Sequence, residues 1–85
     1  MSLYRIYTED VNRQETKKLV GEYFLGATLV FGISLFEGKE KPSLIIELET
    51  DDFVGVGLLA QKIKKANVQK EVLLSHILSD LEVIL

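Results

Sequence analysis

Thr28–Thr50 reads TLVFGISLFEGKEKPSLIIELET, two apolar, β-rich runs on either side of the polar break Glu37-Gly38-Lys39-Glu40-Lys41-Pro42. So short a connection suits antiparallel strands, because parallel neighbours need a crossover of about a dozen residues or more. The stretch is expected to be a β-hairpin, with Gly38 free to take positive φ and Pro42 ending the turn. The second strand alternates: Leu44, Ile46 and Leu48 point one way, Ile45, Glu47 and Glu49 the other. One face of the sheet is therefore meant for burial.

Upstream, Leu3-Tyr4-Arg5-Ile6-Tyr7-Thr8 alternates and is rich in β-formers, the pattern of a first strand. Part of Met1-Ser2-Leu3 could be an expression leader, so Ser2 carries no weight. Glu9-Asp10-Val11-Asn12 offers helix caps, and Glu15 stands three residues after Asn12, a loose capping box. From Arg13 to Phe24, Thr16, Leu19, Val20, Tyr23 and Phe24 recur at helical spacing on one face. Gly26 is placed to end that helix, and Gly21 inside it would allow close packing on the sheet.

Downstream, Asp51-Asp52 opens a second helix whose apolar stripe is Phe53, Val56, Leu59, Ala60 and Ile63. Gln61, Lys62, Lys64 and Lys65 take its wet side, acids at the start and lysines at the end suit the helix dipole, and Asn67 caps it. Glu71–Ile77 reads as a fourth strand. The tail from Leu78 to Leu85 reads as a fifth, because Ser79-Asp80 is turn-like and Leu81, Val83 and Leu85 alternate. The order β-α-β-β-α-β is the α+β ferredoxin-like sandwich: an antiparallel sheet, both helices on one face through right-handed crossovers, with an extra C-terminal strand. Residues 1–85 make one domain in this reading, with no repeat or linker.

Composition narrows the function classes. At 85 residues, stability should be about 4–13 kcal/mol. There is no cysteine, so neither disulfides nor thiolate metal sites supplement the core. That is compatible with a cytoplasmic setting, and the N-terminus lacks a charged-then-apolar signal pattern. No apolar run approaches the roughly 20 residues that span a bilayer, so no membrane partner is expected. A formal charge of −3 disfavours nucleic acid unless basic side chains segregate onto one face. The 47% apolar content is that of a globular chain.

The runs Arg5-Ile6-Tyr7-Thr8-Glu9-Asp10, Phe36-Glu37-Gly38-Lys39 and Ser43-Leu44-Ile45-Ile46-Glu47 resemble small uncharacterised ferredoxin-like proteins of bacteria and phages, over residues 3 to 77. More remotely, the long hairpin is similar to that of the CutA-like and PII-like trimeric proteins. Those chains are longer, and their metal or nucleotide residues have no clear match here. The resemblance implies a fold and a tendency to oligomerise, and no site.

Four constellations bear on chemistry. Gly55-Val56-Gly57-Leu58-Leu59-Ala60 matches G-x-G-x-x-A, but Asp51 and Asp52 stand where a pyrophosphate would approach and the preceding strand is antiparallel to its hairpin partner. Small residues where helix meets sheet are the simpler reading. Glu47, Glu49, Asp51 and Asp52 cluster acids at a strand end, the first two sharing a face about 7 Å apart, yet with no assured third ligand. His76, the single histidine, falls in phase with Val72 and Leu74, as a core or interface residue does. Ser34, Ser43, Ser75 and Ser79 sit in no nucleophile motif.

Arg5, Tyr7, Phe31 and Phe36 raise base stacking, as in ferredoxin-like RNA-binding domains, but Glu47 and Glu49 on the third strand would repel phosphate. Small CRISPR-associated nucleases share the plan and a run resembling Ser34-Leu35-Phe36-Glu37-Gly38. Their first strand ends in a metal-serving aspartate, which Thr8 or Asp10 matches poorly. The sequence assigns no catalytic, cofactor or metal residue. It favours a non-enzymatic, homo-oligomeric interaction or regulatory module, a dimer with a trimer as the alternative. A nucleic-acid-binding protein or nuclease-like enzyme is the runner-up.

Overall fold

The computed structural model describes residues 2–69, 71–77 and 81–85, with the backbone alone for 81–83. The elements run β1 (Ser2–Glu9), α1 (Arg13–Tyr23), β2 (Thr28–Phe36), β3 (Lys39–Thr50), α2 (Phe53–Ala66), β4 (Leu73–His76) and β5 (Leu81–Ile84). They build one antiparallel sheet in the order β2-β3-β1-β4-β5. This is the ferredoxin-like arrangement with the expected C-terminal strand added at the β4 edge. The Ser79-Asp80 turn lies outside the described residues.

The hairpin turns on two residues, not six. Phe36 pairs directly with Lys39, and between them Glu37 and Gly38 take φ of 52° and 76°. Two successive positive φ values make a type I′ turn, whose twist matches that of the flanking strands. Pro42 does not end the turn, as the sequence suggested, but lies within β3 opposite Ile33. Its carbonyl accepts from Asp10 N–H at 3.1 Å, on the β1 side. In an antiparallel strand a residue's N and C=O point the same way, so the missing N–H faces past the end of β1, which stops at the Glu9–Ser43 pair. No ladder bond is lost there, which is how a strand tolerates proline.

Burial follows the period-two pattern. Tyr4, Ile6 and Thr8 of β1, Leu44, Ile46 and Leu48 of β3, and Leu74 of β4 are buried on one face. Against them pack Val20 of α1 and Val56, Leu59, Ala60 and Ile63 of α2, with Leu19, Tyr23, Phe24 and Leu29 half-buried at the margin. Phe53 departs from its stripe: it is 43% exposed, its ring reaching Tyr4 at 5.7 Å. It sits in the first turn of α2, where the helix has not yet come over the sheet.

The caps divide differently from expectation. Asp52 is the N-cap of α2 and accepts from Gly55 N–H at 2.9 Å. Asp51 does not cap, and instead accepts from Ser2 N–H at 3.2 Å. Asn12 precedes α1 without any side-chain cap bond, so the capping box with Glu15 does not form. α1 ends at Tyr23 with Phe24 extended, two residues before Gly26. Gly21 is exposed with open space around it, so it serves no close approach. Asn67 does close α2. Its amide donates to Thr8 Oγ1, Glu9 O and Gln69 Oε1 at 3.4, 3.3 and 3.0 Å, and Thr8 Oγ1 bonds Gln69 Oε1 as well. These contacts fasten the end of α2 to the end of β1.

Candidate interaction surface

Because both helices pack on one face, the opposite face of the sheet is bare among the described residues, and register decides what it presents. Val30 pairs with Ile45, Ile45 with Tyr7, Tyr7 with Leu73, and Leu73 with Ile84. Residues paired directly across strands point to the same face, so these five form one apolar row crossing all five strands. Val30 and Ile84 at its two ends are 43% and 66% exposed. On one side runs a polar row, Thr28, Glu47, Arg5 and Ser75, in which Arg5 Nε lies 3.6 Å from Glu47 Oε1. On the other run Gly32, Ser43 and Glu9.

Beyond the end of β1 the hairpin continues alone as a two-stranded arm. Its residues Ile33, Leu35 and Phe36 are 65%, 71% and 64% exposed. Parity places Ile33 and Leu35 on the helix side of the arm and Phe36 on the bare side. At the base of the arm the Arg13 guanidinium sits 4.0 Å from the centre of the Phe31 ring. A 2.5 Å hydrogen bond to Asp10 Oδ2 holds that cation in place and raises its pKa above the ordinary value. The arm is not self-stabilised by a core, since a lone hairpin is marginal in water. Its apolar side chains gain nothing from folding alone.

The chemistry-bearing groups singled out in the sequence are dispersed. Glu47 faces Arg5, Asp51 and Asp52 hold backbone N–H groups, and only Glu47 and Glu49 share the bare face, as expected from alternation. Among the described residues, no group of three or more His, Asp and Glu side chains is placed to hold a cation. His76 stacks on Tyr4 with ring centres 4.5 Å apart, on the helix-facing side of the sheet. Tyr7 and Phe36 lie on the bare side while Phe31 faces the other way, so the three aromatic rings do not form one stacking platform. A Cβ at Gly55 would collide with the Asp52 carboxylate, whereas Gly57 has open space. The first glycine of that motif makes room for the cap, and neither is needed by the sheet.

The largest groove among the described residues, about 800 Å³, runs along the outer side of α2 between Leu58, Lys62, Lys65 and Val68. None of the candidate acids and not His76 lines it. Sequence reading missed the arm's exposed apolar tip and the continuity of the apolar row. The only signal for the row was period-two parity, which names the face of each residue but not its neighbour on the next strand. No protein-family model matches this chain, and no curated protein matches it in sequence. Among the described residues no helix is long and apolar enough to cross a membrane.

Proposed function

We propose that this protein is a non-enzymatic interaction or regulatory module that works as a homo-oligomer, most simply a dimer. The observation that carries the reading is the unbroken apolar row Val30–Ile45–Tyr7–Leu73–Ile84 across a face that no helix covers. Soluble monomers seldom expose contiguous apolar patches of more than a few hundred Å². A second copy covering this face through a two-fold axis would bury it in both chains at once. The acids, the histidine and the arginine that might have served catalysis are instead engaged in capping, stacking and pairing. A cytoplasmic setting belongs to the same proposal and is compatible with a chain that has no cysteine.

One observation favours a trimer as the second reading. Ile33 and Leu35 project from the helix side of the arm, where a neighbour reached by the arm would cover them. Sedimentation equilibrium at tens of micromolar separates the two by mass. The proposal expects twice the chain mass, the alternative three times it, and a monomer would refute both.

A further inference from the structure

We propose that the bare sheet face is self-complementary, so that two copies stack face to face about a two-fold axis lying along the Val30–Ile45–Tyr7–Leu73–Ile84 row. The inference rests on the homo-oligomer reading and adds its geometry. It comes from the order of charges along β3. Taking every second residue on the bare side, β3 runs Lys39, Lys41, Ser43, Ile45, Glu47, Glu49. The strand is basic at one end and acidic at the other, with Ile45, a member of the apolar row, between them.

A two-fold axis along that row maps each position onto the one equally far beyond the row. Ile45 and Tyr7 then meet their own copies. Lys41 comes over the partner's Glu49, and Ser43 over the partner's Glu47. On β1, Arg5 lies two residues to one side of Tyr7 and Glu9 two to the other, so Arg5 comes over the partner's Glu9. Opposite charges meet at each charged position within the ladder, and apolar meets apolar at the centre. The competing face-to-face arrangement, with the axis along β1, sets Arg5 over the partner's Arg5 and Glu9 over the partner's Glu9. Like-charge juxtaposition disfavours it.

Size agrees with the geometry. Five strands about 4.8 Å apart, over roughly seven residues of about 3.4 Å each, offer on the order of 600 Å² per copy. Two such faces approach the ~1,200 Å² at the lower end of stable, specific interfaces. The projecting arm, whose Lys39 and Phe36 continue the bare side beyond β1, extends the contact further.

The test is a charge swap. Lys41 and Glu49 are eight residues apart on one strand, about 27 Å, so they cannot compensate one another within a chain. Both are exposed, and neither substitution should impair folding, which far-UV circular dichroism checks. Lys41→Glu alone and Glu49→Lys alone should each weaken self-association about tenfold or more in Kd, as measured by sedimentation equilibrium at low salt. The double variant Lys41→Glu, Glu49→Lys should recover the wild-type Kd, because each copy then presents the reversed pair. Should the wild type associate while the single variants match it, or the double variant fail to recover, this geometry is wrong and the homo-oligomer reading stands. A wild type that stays monomeric would overturn both.

Discussion

Leu58 and Leu59 are neighbours on α2, yet Leu59 is fully buried and Leu58 is 52% exposed. Substituting each in turn by alanine tests the phase of the helix on the sheet. Leu59 packs in the cluster formed with Ile6, Ile46, Val56 and Ile63, where no flexible neighbour can refill the space. Truncating a leucine in such a place costs about 2–5 kcal/mol, the removed methyl groups plus the cavity they leave. For 85 residues the unfolding entropy near the midpoint is about 0.18 kcal/mol/K. A loss of about 3 kcal/mol therefore lowers Tm by about 17 °C. Leu58→Ala removes little buried surface and slightly favours the helix, so it should stay within about 0.5 kcal/mol, or about 3 °C. Thermal and urea unfolding followed by circular dichroism measure both. Protomer concentration must be held fixed, since association would stabilise the native state by mass action. In urea the midpoint should fall for Leu59→Ala with the slope unchanged. If Leu59→Ala melts within 3 °C of wild type, or Leu58→Ala loses as much as Leu59→Ala, the burial assigned to α2 is wrong.

The remaining predictions concern local structure. Glu37 occupies a left-handed turn position that asparagine tolerates better, so Glu37→Asn should raise stability by about 0.5 kcal/mol, whereas Gly38→Ala should cost about 1 kcal/mol or more. Equal urea midpoints for the two variants would contradict the type I′ turn. Asp52→Ala should cost about 1 kcal/mol through the lost bond to Gly55 N–H, and Asp51→Ala distinctly less, because it caps nothing; the reverse ranking in urea would refute that division. Adding Mg²⁺, Ca²⁺ or Mn²⁺ should leave Tm unchanged. A saturable rise that disappears in the Asp51→Asn, Asp52→Asn double variant would instead establish a cation site at the start of α2.

The sequence by itself determined the elements and their faces, because those rest on local periodicity. Alternation through Leu44, Ile46 and Leu48 named the buried side of β3, and the spacing of Val56, Leu59, Ala60 and Ile63 named that of α2. Element order then left few antiparallel topologies to choose from. Details that depend on exact φ values or on a distant partner were not legible. The tight Glu37-Gly38 turn left Pro42 inside a strand, which only the end of β1 at Glu9 makes tolerable. Asp51 and Asp52 look alike in sequence, yet they diverged because one reached Gly55 and the other the N-terminal end of β1. The candidate surface divides in the same way. That Tyr7, Ile45 and Leu73 avoid the buried face follows from parity alone. That they touch in one row flanked by opposed charges depends on register, and register is fixed by which side chains the helices bury together, a property of the assembled tertiary structure.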